Sequence, residues 1–232
     1  MLGRILMSSA LIAAGLSFGG CSDSEEMNDA MNDTMPTYEV SLTNLTAGQP
    51  ISPSVITLHN ADYSMFSVGK SASVELEHLA EGGSNSELYS QAQATSNVDD
   101  TEKLSGLLKP GKTLSVTLKG EAEYLSLAGM LVYTNDGFIG LSGYDLSDLE
   151  VGEQESLGVI TYDSGTEINS ETTGTVPDLG GEGFNGARDD TNDVVHAHSG
   201  VISKDDGLSS SGLSAIHKFD NPTAKLVIKR IQ

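Results

Sequence analysis

Leu125-Ser126-Leu127-Ala128-Gly129-Met130-Leu131-Val132-Tyr133 is almost wholly apolar and reads as a central β-strand covered on both faces. The segments around it alternate instead. Leu114, Val116 and Leu118 are interleaved with Thr113, Ser115, Thr117 and Lys119, and Tyr38, Val40 and Leu42 with Glu39, Ser41 and Thr43. That is the period of a strand with one buried face. Lys225 to Ile231 mixes Val and Ile with Lys and Arg and reads as a closing strand. Ser73 to Glu81 breaks the pattern with good helix formers that stop at Gly82-Gly83. Ser84 with Glu87 then offers a capping-box spacing before Leu88, so two short helices are expected. From about Asp163 to Asp193 the chain is rich in Gly, Thr, Asn and Asp, which predicts long loops carrying short strands. The expected fold class is all-β: an antiparallel sandwich with one or two short helices and long acidic loops.

The amino-terminal residues do not belong to that domain. Arg4 precedes an apolar run from Ile5 to Leu16, too short to span a bilayer, followed by small residues and then Cys21, the sole cysteine of the chain. Residues 1–20 read as a signal peptide. The segment Leu16-Ser17-Phe18-Gly19-Gly20-Cys21 looks like a bacterial lipobox, with Phe18 standing where that signal usually has Leu. Cys21 is therefore the expected lipidation site, and Ser22 after it favours sorting to the outer membrane. Residues 21–37 read as a lipidated flexible tether, polar, acidic and without periodicity, and residues 38–232 as one β domain. With its only thiol acylated, the mature chain has no disulfide, and an apolar core and any bound ion must stabilise it.

Twelve basic residues against 33 acidic give a formal charge of −21. Such a surface repels phosphate backbones, so nucleic acid is not an expected partner. Gly106-Leu107-Leu108-Lys109-Pro110-Gly111-Lys112-Thr113 matches the letters of a P-loop. A Pro-Gly turn leading into a strand cannot replace the helix N-terminus that a phosphate requires, so no nucleotide is expected either. Beyond the expected signal peptide there is no Gly-x-Ser-x-Gly elbow, and no carboxylate pair is marked out as acid and base, so an enzyme is not expected. His196-Ala197-His198 would set two imidazoles on one strand face, a two-ligand fragment of a zinc or copper site. His59, His78 and His217 are isolated. Acidic residues beside turns are a separate signal: Asp136 in Asn135-Asp136-Gly137, Asp163 in Tyr162-Asp163-Ser164-Gly165-Thr166-Glu167, and Asp189, Asp190 and Asp193. Calcium takes six to eight oxygens from such loops, and solvated turn carboxylates are the other reading of the same residues.

Several ordered blocks resemble the spondin domain of extracellular matrix proteins and bacterial lipoproteins. They are Phe66-Ser67-Val68-Gly69-Lys70 with Ala72-Ser73, Leu79-Ala80-Glu81-Gly82-Gly83, Asn135-Asp136-Gly137-Phe138-Ile139-Gly140, and Tyr162-Asp163-Ser164-Gly165-Thr166-Glu167. Val195-His196-Ala197-His198-Ser199-Gly200 is similar to a late strand of the bacterial members. The resemblance implies a C2-like β sandwich, a calcium ion held at one end, and adhesion rather than catalysis. By it, Asp136 and Asp163 match the positions of metal carboxylates, with Glu167 in a loop near them. A further family carboxylate on the strand before Asp136 has no clear match, Glu121 and Glu123 being nearby. Unlike animal members, this chain has no Trp and no spare Cys.

The expected function is a binding or adhesion module, anchored to the cell envelope through Cys21, stabilised by Ca²⁺ and contacting a polysaccharide or surface-protein ligand through loops at one end. Two alternatives stand beside it: a zinc- or copper-dependent enzyme or metal-binding protein using His196 and His198, and a structural envelope protein with no ion.

Overall fold

The alternation at Tyr38, Val40 and Leu42 becomes β1 (Thr37–Asn44), whose inward residues are buried and whose outward residues are polar. The computed structural model describes residues 35–189 and 192–232. The expected signal peptide, Cys21, the tether up to residue 34 and Asp190 lie outside the described residues.

The remaining strands are β2 (Val55–His59), β3 (Val98–Lys103), β4 (Thr113–Lys119), β5 (Tyr124–Met130), β6 (Gly137–Asp145), β7 (Gln154–Asp163), β8 (His196–Ala197) and β9 (Ala224–Arg230). They pair antiparallel in the order β3-β2-β5-β6-β7-β9-β1-β4, with β8 added on β7. β7 passes from one layer to the other: Gln154 to Val159 pair with β9, and Ile160 to Asp163 pair with β6. The two layers enclose a core that includes Val40, Leu42, Ile56, Leu58, Leu125, Leu127, Ile139, Leu226 and Ile228.

β5 is central, as its apolar run predicts, and only Tyr124 escapes full burial. Leu125 and Leu127 face the inter-sheet core, while Ala128 faces a second cluster beneath two helices. Those helices are α1 (Val74–Gly82) and α2 (Ser86–Gln93). Ser73 caps α1 by accepting the Leu76 N–H, and Gly83, in the left-handed region at φ 67°, ends it. The expected capping box of α2 is not formed. Ser84 donates to the Glu87 carboxylate at 2.7 Å, and Asn85 stands at the N-cap with its side chain turned to the Pro53 carbonyl.

The open edges β3 and β4 are bridged by side chains. Asp100 Oδ2 accepts the Lys119 N–H and Asp99 Oδ2 accepts the Ala122 N–H, each at 2.8 Å. Gly120 is required there, since an added Cβ would lie 2.5 Å from the Asp99 Cβ. The sandwich is thus nearly a closed barrel. The 106–113 segment is a turn into β4, closed by Lys112 N–H to Lys109 O, as expected for a failed P-loop. The expectation of short strands after Asp163 is not met. Among the described residues no strand occurs between Asp163 and His196, and the segment is held by main-chain turn bonds and by side chains that accept main-chain N–H groups instead.

Candidate functional site

The site forms where the β5–β6 turn meets the end of β7. Thr134 pins the turn, donating to Leu131 O at 2.6 Å and accepting the Gly137 N–H at 2.9 Å. Gly137 pairs with Asp163, so Asp136 and the residues after Asp163 are neighbours by register. A side chain at 137 is excluded, because a Cβ would lie 2.7 Å from Thr134 Oγ1 and 3.0 Å from His198 Cδ2.

Asp136 is fully buried. Its Oδ2 accepts from the Ser164 hydroxyl and the Thr166 N–H at 2.9 Å and from the Glu167 N–H at 3.2 Å. Its Oδ1 has no hydrogen-bond partner among the described residues. Asp163 folds its own loop: Oδ1 accepts the Gly165 N–H at 2.9 Å and Oδ2 the Asn169 amide at 2.6 Å. Gly165 adopts φ 74°, and a Cβ there would lie 2.5 Å from the Val194 main chain.

More carboxylates converge on this end than the turns alone suggest. Glu167 is 6 % exposed and its carboxyl is pushed up to about 8 by burial, then by the Glu81 and Asp136 carboxylates. Glu81, from α1, is 1 % exposed; Oε2 accepts the Asn185 N–H at 3.0 Å and Oε1 has no partner. Burial raises its pKa, against bonds from Asn185 and Thr166. Glu171, at φ 59°, is buried with Oε1 taking the Ile202 N–H and Oε2 unpartnered, and burial lifts it to about 7. Burial and the nearby Asp163 carboxylate also raise Asp136, while the N–H donors at Oδ2 oppose them. A buried carboxylate without a full set of donors is costly, so this end of the domain is suited to a cation or a proton.

Of the other expected residues, one pair is placed elsewhere and the histidine pair borders the site. Glu121 and Glu123 are exposed at the start of β5, the opposite end from the Asp136 turn, so they do not supply the further carboxylate; Glu81 and Glu171 are the acidic side chains that come close. His196 and His198 differ in surroundings. The His196 ring is 41 % exposed, bonds through Nδ1 to the Val194 carbonyl and sets Nε2 3.9 Å from Asp163 Oδ2. His198 is buried and accepts the Gly200 N–H at Nδ1, so its neutral ring carries the proton on Nε2 and offers no lone pair there. Burial holds it down at about 4. Asp189 is an exposed loop residue and Asp193 a half-buried one paired to Arg188 at 2.9 Å.

Among the described residues no group of three or more His, Cys, Asp or Glu side chains is arranged as a ready metal-holding cluster. For calcium the donor chemistry still fits. Asp136 Oδ1, Glu81 Oε1 and Glu171 Oε2 are buried hard oxygens without partners, and calcium fills its shell with main-chain carbonyls and water as well as carboxylates. Zinc or copper fits poorly, because one imidazole of the pair has its Nε2 blocked by a proton.

The residues that reading along the chain does not single out are Glu81, Glu171, Asn135, Asn169 and Asn185. Glu77 and Glu81 lie one helical turn apart, next to the apolar row of Leu76, Leu79 and Ala80, which is the one signal that could have turned them inward. Glu171 and Asn185 arrive on loops far from Asp136 in sequence, and nothing local marks them.

A family model described as Spondin_N matches residues 46–180. The span runs from before β2 past β7 and includes Glu81, Asp136, Asp163, Glu167 and Glu171, but not His196 or His198. No curated protein matches the chain. Among the described residues no helix is long and apolar enough to cross a membrane.

Proposed function

This chain belongs to the spondin N-terminal domain family, and from that premise we propose that it is a calcium-stabilised binding module of the bacterial cell envelope, held there by a lipid on Cys21. Domains of this family are extracellular modules of a binding or adhesion type. The observation that carries the calcium reading is the Asp136 carboxylate, fully buried, with one oxygen saturated by loop donors and the other without a partner. Asp136 and Asp163 would be the principal anionic ligands, with Glu167 the third acidic group. Bound there, the ion would supply positive charge that offsets the desolvation and mutual repulsion of the carboxylates. The protein's own part is to hold the loops: Ser164, Thr166 and the Glu167 main chain fasten the β7 loop onto Asp136. A rigid rim of loops at that end would contact a polysaccharide or surface protein, and no catalytic step is assigned to it.

The test is a thermal melt of the full chain in chelator and in millimolar calcium, since a ligand of the native state raises stability by mass action. The expected result is a higher Tm in calcium that is lost in Asp136→Ala and Asp163→Ala and kept in Asp62→Ala, an exposed loop change. Equal responses in all three variants would overturn the assignment.

A further inference from the structure

The segment 182–189 lies across α1 at the acidic end. The Phe184 ring stacks on His78 at 3.5 Å, the Asn185 N–H bonds Glu81, and Arg188 Nε donates to Glu77 at 2.9 Å. Within this strap Asn185 is the only asparagine of the chain followed by glycine. Its Oδ1 accepts the Ala187 N–H at 2.8 Å, an Asx turn that folds the carboxamide back over the Asn185–Gly186 peptide. The same N–H sits on the oxygen that gains negative charge when a nucleophile adds to Cγ. Gly186 is exposed, and among the described residues an added Cβ would have no atom nearer than the Phe184 Cζ at 3.9 Å, so the peptide is open to water and free to turn. Among the described residues the leaving nitrogen is held by a contact of 3.5 Å to Glu167 Oε1.

We propose that Asn185 is a site of intramolecular deamidation. The Gly186 nitrogen attacks Asn185 Cγ and gives up its proton; the Cγ–Nδ2 bond breaks, and the nitrogen leaves as ammonia after taking up a proton. Water then opens the resulting succinimide to aspartate or isoaspartate. One water is consumed, one ammonia is released, and no other reactant is needed. Either product puts a new negative charge beside Glu81 and Glu167. Isoaspartate also adds a methylene to the main chain between the Phe184 and Arg188 fastenings. Both changes loosen the strap from α1. The other asparagines precede residues with side chains, which restrict this attack, so the reaction is selective. The inference does not depend on a cation at Asp136.

The full chain is incubated folded, at mildly alkaline pH and body temperature, beside a sample in concentrated urea. Peptide mapping follows the gain of one dalton, and an isoaspartyl methyltransferase labels the rearranged product. Conversion at Asn185 in the folded chain, ahead of every other asparagine and absent in Asn185→Gln, is the expected result. Converted protein is then cut faster by trypsin after Arg188. An Asn185 peptide that keeps its mass in the folded chain overturns the site, whatever happens in urea. Unchanged cleavage after Arg188 overturns the loosening.

Discussion

Asp136 shows how one buried carboxylate can be half satisfied. Four donors from Ser164, Thr166 and Glu167 gather on Oδ2, and none reaches Oδ1. The surrounding acids carry the consequence in pH. Glu167 and Glu171 have folded-state pKa values of about 8 and about 7, above the ordinary 4.5 of an unfolded Glu. Between the unfolded and folded values the native state binds more protons than the unfolded chain, so these groups make stability fall as pH rises through that window. His198 works the other way: lowered to about 4, it makes stability rise with pH up to its ordinary value of 6.5. The two trends oppose each other below pH 6.5, and above it only the carboxylates act. Without calcium, Tm is therefore expected to drop between pH 6.5 and pH 8, and Glu171→Gln is expected to flatten part of that drop. A Tm that rises over the same interval in chelator would contradict the burial of these acids.

At the scale of elements, the seam between β3 and β4 rests on Asp99 and Asp100, which accept main-chain N–H groups across the gap. Asp99→Ala should cost about 1 kcal/mol, the usual net worth of such a bond. In a domain of this size that lowers Tm by roughly 2–4 °C, measurable by calorimetry. A variant that melts with the parent chain would mean that the seam is closed by other contacts. Elements with a strong local signal were legible in the sequence. The apolar run of β5, the alternation of β1 and β4, and the Ser73 and Gly83 ends of α1 all stand where composition and caps put them. Segments that depend on distant partners were not. The loop after Asp163 looks like turns with strands, but its main chain is satisfied by local turn bonds and by the Asn135 and Asp189 side chains rather than by a ladder. In the same way Asp136 and Asp163 are marked by adjoining turns, whereas Glu81 enters on a helix whose inward face only the packed structure defines.

For the whole molecule, the family match ends at residue 180, yet the fold continues through β8 and β9, and β9 lies between β1 and β7 inside the sandwich. The strap and the His196–His198 strand also lie beyond the matched span. The formal charge of −21 gives the chain a net sign that attracts cations, so a specific site must be told from general screening. The most direct measurement is an isothermal titration of the full chain with calcium at constant ionic strength held by sodium chloride. Extracellular calcium modules bind with Kd on the order of 10⁻⁴ to 10⁻³ M, which sets the range to be covered. Saturable binding of one ion per chain is expected, abolished in Asp136→Ala. No saturable heat, or the same heat in Asp136→Ala, would contradict a cation site at the acidic end of the sandwich.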